Sequence, residues 1–243
     1  MWGIHTLRGE RRGVSVVAAW LAAVLFCCCA GASGGKGSGL EGAGTREWAG
    51  AAFGGAACTR LAPCVHVVPH SHHDPGWRQT YDRYAVDGEK IHRAVLIALE
   101  EEPSRTFVLG DVAFLTKFVT NSAPAEHVAA RVEKLVAEGR LEVTGGGFVS
   151  PDEGLSPLEG LVAAYNEGRR ALSDALPNAP YPKTAWQIDP FGHASSTPAV
   201  LAHLGFDSVV LNRVPVDDKR RMRREKRLLF RWGSSHNSSI LAA

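Results

Sequence analysis

Aromatic residues make up only 8% of this sequence, and its formal net charge is only +2. Basic residues interleaved with aromatic side chains, the pattern of a nucleic-acid-binding surface, do not occur. The one dense basic run, at 219–227, is typical of a solvated helix or loop. These absences argue against nucleic acid as a partner of the protein.

The signatures of several common catalytic classes are also missing. The triplet Gly145-Gly146-Gly147 lacks the Lys and Ser/Thr of a phosphate-binding loop, and its spacing is not G-x-G-x-x-G. It predicts a tight turn after a strand instead. No G-x-S-x-G nucleophile elbow occurs, and Cys58 and Cys64 lack the context of a catalytic thiol. The sequence therefore does not favour nucleotide binding or serine or cysteine nucleophiles.

The first 32 residues have the pattern of a targeting segment. Arg8, Arg11 and Arg12 precede an uncharged apolar stretch at 14–32. An A-x-A-like site at 30–32 favours a removable signal peptide. The apolar length, close to the roughly 20 residues that a membrane-spanning helix needs, favours a type II signal anchor. Either alternative places the remaining chain in the secretory-pathway lumen or outside the cell, with membrane contact only through this segment if it is uncleaved.

Residues 33–57 are rich in Gly, Ser and Ala and are expected to form a flexible stem. Cys58 and Cys64 are either a small-loop disulfide or two free thiols. The glycosylation sequon at Asn237 agrees with luminal exposure. Residues 58–243 are long enough for one sizeable α/β domain.

From residue 65 onward, short apolar runs typical of strands alternate with segments that have the periodicity of amphipathic helices. The strand-like runs lie at 65–69, 107–109, 141–144, 184–188 and 207–211, and the helix-like periods lie at 89–101, 126–138, 158–176 and 198–204. Strand and helix alternating at this spacing predict a parallel sheet with right-handed crossovers. Polar groups just past the carboxyl ends of such strands gather along one edge, where ligands bind. The residues at these ends are His72, Asp74, Asp111, Gly145, Asp189 and Arg213.

The most informative of these residues are His72 and Asp74. They are two residues apart in an extended segment and share one face with His70, whereas Ser71 and His73 point away. Asp189 ends another strand. An imidazole and two carboxylates can converge on one divalent cation, and zinc suits this ligand set. The alternative for each aspartate, which precedes a proline, is that it simply opens a turn.

Four motifs together resemble glycoside hydrolase family 38, the class II α-mannosidases. They are HSHHDPGW at 70–77, GRLEVTGGGFVSPDEG at 139–154, AWQIDPFGHASSTP at 185–198 and GFDSVVLNRV at 205–214. The resemblance implies a mostly parallel (β/α) barrel-like catalytic domain, incomplete at its C-terminus. Pro75 in the first motif looks more like the Golgi branch than the lysosomal branch, which typically has Val there. Asp111 and Ser150 depart from the Glu and Met that the family commonly carries.

The resemblance also implies roles for individual residues. His72, Asp74 and Asp189 match zinc ligands, Asp189 also matches the catalytic nucleophile, Trp77 and Phe191 match the lining of the mannose subsite, and Arg213 matches an arginine beside the nucleophile. The implied activity is retaining, zinc-dependent hydrolysis of terminal α-mannose in N-glycans or related mannosides. A further histidine ligand and a general acid would lie beyond Ala243, so we expect an N-terminal fragment that is inactive on its own.

Two alternatives stay open at this point. A metal-dependent polysaccharide deacetylase also uses Asp and His ligands, and in such an enzyme Asp189 would act as a base on metal-bound water. A non-enzymatic alternative is an inactive carbohydrate-binding remnant. A glycosyl group trapped on Asp189 would decide for the mannosidase.

Overall fold

The computed structural model of the protein describes residues 23–26, 65–234 and 238–243. The predicted stem, Cys58, Cys64 and Asn237 lie outside these residues, as does the predicted targeting segment apart from 23–26. The choice between signal peptide and anchor therefore stays a prediction. No helix within the described part of the chain is long and apolar enough to cross a membrane.

Strands and helices alternate along most of the described chain. The strands are β1 (Ala23–Phe26), β2 (Val65–Val68), β3 (His70–Ser71), β4 (Phe107–Leu109), β5 (Leu141–Val143), β6 (Thr184–Gln187), β7 (Ser208–Leu211), β8 (Phe230–Gly233) and β9 (Ser239–Ala242). The helices are α1 (Tyr81–Glu101), α2 (Val112–Asn121), α3 (Ala125–Ala137), α4 (Leu158–Ala175), α5 (Thr197–His203) and α6 (Val216–Arg224).

The described strands form three sheets. β1 and β2 pair antiparallel. β3, β4 and β5 form a parallel sheet in that order. In the third sheet, ordered β6-β7-β9-β8, the first three strands are parallel and β8 is an antiparallel edge. A hydrogen bond of 2.9 Å from Gly145 N–H to the Thr184 carbonyl connects the second and third sheets.

The predicted alternation of parallel strands and helices is confirmed, but several details differ. Helix α1 begins at Tyr81 rather than at Glu89, and α2, β8 and β9 were not predicted. Helix α2 is buried around most of its circumference, so it lacks the polar face by which an amphipathic helix is recognised. Gly145 and Gly146 have φ of 77° and 73°, which confirms the tight turn after β5. The described strands do not close into a barrel.

Helix α4 joins two hydrophobic clusters into one core. The first cluster packs α1, α2 and α3 against β4 and β5 and includes Leu172 of α4. The second packs α5 against β6, β7 and β9 and includes Leu161 and Tyr165 of the same helix. The two parallel sheets are therefore anchored on one shared helix.

This helix passes very close to the glycine turn after β5. A Cβ atom on Gly168 would lie 2.5 Å from the carbonyl carbon of Gly147, and closer still to backbone atoms of Gly146 and Phe148. Phe148 N–H donates to the Ala164 carbonyl of the same helix at 2.8 Å. Only glycine allows this approach.

We expect Gly168→Ala to lower the free energy of unfolding by about 1–3 kcal/mol, because backbone atoms rather than a mobile side chain block the added methyl group. Gly160→Ala is the matched control in the same helix, since the nearest atom to its Cβ is 3.5 Å away. It should be stabilising by roughly 0.5–1 kcal/mol through helix propensity. Urea unfolding measures both. Equal stability of the two variants would contradict the close approach.

His92 of α1 is buried in the first cluster. Its ring stacks on Phe118 with centroids 5.5 Å apart, and its Nδ1 lies 2.7 Å from the Gly88 carbonyl oxygen. Burial lowers the pKa of His92 from 6.5 to about 4. Between these values the unfolded state binds a proton that the folded state does not, so stability falls as pH decreases through this window, by up to about 3 kcal/mol.

His92→Phe keeps a ring against Phe118 and removes the titrating group. We expect this variant to lose less stability than the wild type between pH 6.5 and pH 4, and to show no such difference above pH 7. Chemical unfolding at a series of pH values measures the change. Parallel curves for the two proteins would show that His92 is not held neutral by burial.

Candidate active site

Three of the predicted residues converge where β3 and β6 end. His72 and Asp74 follow β3, and Asp189 follows β6. The His72 Nε2 atom is 3.4 Å from Asp74 Oδ1 and 3.4 Å from Asp189 Oδ2. One potential ligand atom from each residue lies within 4.8 Å of the other two. The side chains are 30–43% exposed, so the group is open to solvent.

The spacing of these atoms suits a bound metal ion. Ligands at 2.0–2.1 Å from a tetrahedral zinc ion are about 3.3 Å from one another. Both distances from His72 match this value. One imidazole nitrogen and two carboxylate oxygens are also a donor set that zinc accepts. The three side chains could therefore hold a divalent cation and leave a position for a further ligand.

Arg213, which follows β7, contacts Asp189 directly. Its Nε donates to Asp189 Oδ1 at 2.8 Å, and a second bond from Nη2 reaches the same oxygen. Partial burial alone would raise the pKa of Asp189. The bonds from Arg213 and the charges of His72 and Arg213 outweigh this effect and lower the pKa. Asp189 thus directs one oxygen to the arginine and the other to His72.

A cavity of about 140 Å³ opens beside the three residues. Its lining includes His72, Asp74, Asp111, Phe148, Asp189 and Phe191. The Arg213 guanidinium lies 5.3 Å from the centre of the Phe191 ring, and this ring is 71% exposed. Trp77 is also exposed and carries Arg78 over its ring at 4.4 Å. Trp77 and Arg213 are not among the described residues that line this cavity.

Asp111, at the end of β4, holds the segment that carries His72 and Asp74. Its carboxylate accepts a 2.9 Å bond from Ser71 Oγ and a 3.2 Å bond from His73 N–H. Ser71 and His73 are therefore bound to Asp111 and do not belong to the group formed by His72, Asp74 and Asp189. Burial opposes ionisation of Asp111, but the bonds and charge of His73 and the bond from Ser71 prevail and lower its pKa.

Sequence reasoning did not assign a role to Glu153. Its side chain is completely buried and accepts hydrogen bonds from four groups between residues 187 and 197. Glu153 lies in one of the recognised motifs, but a carboxylate in a turn is usually exposed, so nothing local marks this one as buried. Ser150, also in that motif, donates to the Trp186 carbonyl at 3.2 Å.

Residues 62–243 match the model of the glycosyl hydrolases family 38 N-terminal domain. This match covers most of the chain and includes all three residues of the candidate metal site. The chain therefore belongs to glycosyl hydrolase family 38.

Curated relatives agree with this assignment. The chain is 36% identical over 169 residues to alpha-mannosidase 2x of Mus musculus, covering 69% of this chain and 14% of that protein. It is 33% identical over 188 residues to the lysosomal alpha-mannosidase of Mus musculus, covering 74% and 18%. The aligned part of the chain thus spans less than a fifth of the length of these relatives.

A solved structure supports the same fold. An alpha-mannosidase from Enterococcus faecalis V583 superposes with a TM-score of 0.58 at 20% identity, covering 72% of this chain and 19% of that one. At this level of identity the superposition supports the fold alone.

Proposed function

We propose that the protein is a retaining, zinc-dependent α-mannosidase that removes terminal α-mannose from N-glycans or related mannosides. The observation that carries this proposal is the position of Asp189, which lies in the metal-binding group and in an ion pair with Arg213 at the same time. We propose further that the two parallel sheets are part of a (β/α) barrel-like catalytic domain.

His72, Asp74 and Asp189 would hold the zinc ion. When bound, this ion would supply Lewis-acid stabilisation of negative charge next to the sugar. Asp111 keeps His72 and Asp74 on the same side of their segment through its bonds to Ser71 and His73. The ligand pair is thus oriented before a metal arrives.

Asp189 would be the nucleophile. Its lowered pKa keeps the carboxylate ionised at the mildly acidic pH of secretory compartments. The carboxylate attacks the anomeric carbon as the glycosidic bond breaks, and the departing oxygen takes a proton from a general acid outside this chain or from solvent. Water later hydrolyses the glycosyl ester, so the anomeric configuration is retained. Arg213 binds one carboxylate oxygen and limits its rotation.

The aromatic side chains favour a sugar as the substrate. Phe191 lines the cavity and Trp77 is exposed close to His72 in the chain, so each ring has exposed surface that could meet the C–H surface of a pyranose. Pro75 favours the Golgi over the lysosome as the site of action. The membrane contact that we propose is confined to the N-terminal segment, as an uncleaved type II anchor.

A covalent label tests this mechanism. A protein of family length that contains this chain is incubated with an activated fluorinated α-mannoside, which slows hydrolysis of the glycosyl ester. We expect one added fluoromannosyl group on the peptide that contains Asp189. A deacetylase would remain unlabelled, and a label on Asp74 would contradict the assignment of the nucleophile.

A further inference from the structure

Glu153, in the segment between β5 and α4, holds the loop that carries Asp189. One of its oxygens, Oε1, accepts a 2.9 Å bond from His193 Nδ1 and a 3.4 Å bond from Gln187 Nε2. The other, Oε2, accepts a 3.0 Å bond from Ala194 N–H and a 2.5 Å bond from Thr197 Oγ1. All four donors belong to the end of β6, the loop after it, or the start of α5. They flank Asp189 on both sides.

His193 extends this network to the other partner of Asp189. Its Nε2 lies 3.3 Å from the backbone carbonyl oxygen of Arg213. The His193 ring therefore lies between the buried carboxylate of Glu153 and the backbone of Arg213, and it packs edge-on against Trp232 at 5.9 Å. Both ring nitrogens face oxygen acceptors, so each bond depends on a proton at the nitrogen that makes it.

The contacts form a closed circuit. Glu153 holds His193, His193 contacts the Arg213 backbone, the Arg213 side chain binds Asp189, and the loop after Asp189 returns to Glu153. Glu153 is itself too deeply buried to reach the cavity. A buried carboxylate is strongly destabilising unless its partners are retained, so the donors around it are held in place.

We propose that Glu153 and His193 are positioning residues that set the orientation of the Asp189 carboxylate. They fix the two ends of its loop and the backbone of its arginine partner. Under this arrangement Oδ1 stays with Arg213, and Oδ2 stays with His72. This proposal rests on the proposed function for its consequence, because a metal ligand that is also a nucleophile needs its two oxygens kept in different surroundings.

The Arg213 Nε–H group reports the orientation without any metal. In ¹⁵N-labelled protein its signal is assigned by its absence in Arg213→Lys, and its bond to Asp189 slows exchange with water. His193→Phe keeps a ring against Trp232 and removes both hydrogen bonds of the imidazole. We expect it to accelerate exchange of the Arg213 Nε–H signal to the rate seen in Asp189→Asn.

Glu153→Gln is the second variant, in case His193→Phe does not fold. The amide keeps the shape of the side chain but turns one acceptor into a donor that faces other donors, so exchange should also accelerate. Glu133→Gln is the control, because this carboxylate also accepts hydrogen bonds, two from Asn178, but lies outside the network. If His193→Phe and Glu153→Gln fold and their Arg213 Nε–H exchanges with water at the same rate as in the control, the proposal is overturned.

Metal affinity separates this proposal from the proposed function. By calorimetric titration with Zn²⁺, His193→Phe should bind about tenfold more weakly than the wild type, the loss typical when a partner of a metal ligand is removed. In a protein that already carries Asp189→Asn, adding His193→Phe should not weaken Zn²⁺ binding further. A wild-type chain that binds no Zn²⁺ would refute the metal site, while the Arg213 signal would still decide the positioning role.

Discussion

Replacing Asp189 with asparagine should abolish hydrolysis of an aryl α-mannoside, lowering kcat/KM by roughly 10⁴-fold or more. The amide has the shape of the carboxylate but is a poor nucleophile, and it leaves Arg213 without its anionic partner. The assay uses a protein of family length that contains this chain. Asp174→Asn is the matched control, because its exposed carboxylate pairs with the exposed Arg170 of the same helix, α4.

Chemical rescue separates loss of the nucleophile from loss of the fold. A small anion such as formate or azide should restore part of the activity of a second variant, Asp189→Ala, by occupying the space that the carboxylate leaves. It should not affect the wild type. Near-normal hydrolysis by the unaided variant would show that another group attacks the sugar and would refute the proposed mechanism.

Removing His72 and Asp74 together should eliminate zinc binding by the chain itself. Even residues that merely orient a metal ligand are worth 10–100-fold in affinity, so losing two ligands should weaken binding by more than about 100-fold. Elemental analysis after dialysis measures the bound metal. We expect one zinc ion per wild-type chain and none in the double alanine variant.

A control double variant, His127→Ala with Asp207→Ala, removes one imidazole and one carboxylate from exposed positions away from the site. It should retain the zinc content of the wild type. Circular dichroism verifies that both double variants are folded. Equal zinc content in the two would show that His72 and Asp74 do not bind the metal.

The position of the candidate metal site was predictable in part from the alternation of strands and helices. His72, Asp74 and Asp189 each follow the carboxyl end of a parallel strand, where polar groups gather in such folds. Their meeting also depends on how two sheets pack, because β3 and β6 belong to different sheets. That His72 and Asp74 lie on the same face was predictable because side chains two residues apart in an extended segment point the same way. This second inference needs no knowledge of distant contacts.

The remaining features depend on tertiary contacts that no local pattern encodes. Helix α2 is covered on most sides, so its sequence shows no amphipathic period. Strand β9 is stabilised between two neighbours rather than by its own sequence. The role of Glu153 exists only because residues some 40 positions away bring their donors to it. Such a residue cannot be distinguished from a surface glutamate by its local sequence.

The two parallel sheets meet in part through the ligands themselves. His72 and Asp74 extend from the sheet of β3, β4 and β5, whereas Asp189 extends from the sheet that begins with β6. A cation held by all three would act as a cross-link between two halves of the domain. Metal binding and docking of the sheets are then thermodynamically linked, so each stabilises the other. A substitution at the junction of the two sheets, far from any ligand, would therefore lower the affinity for metal.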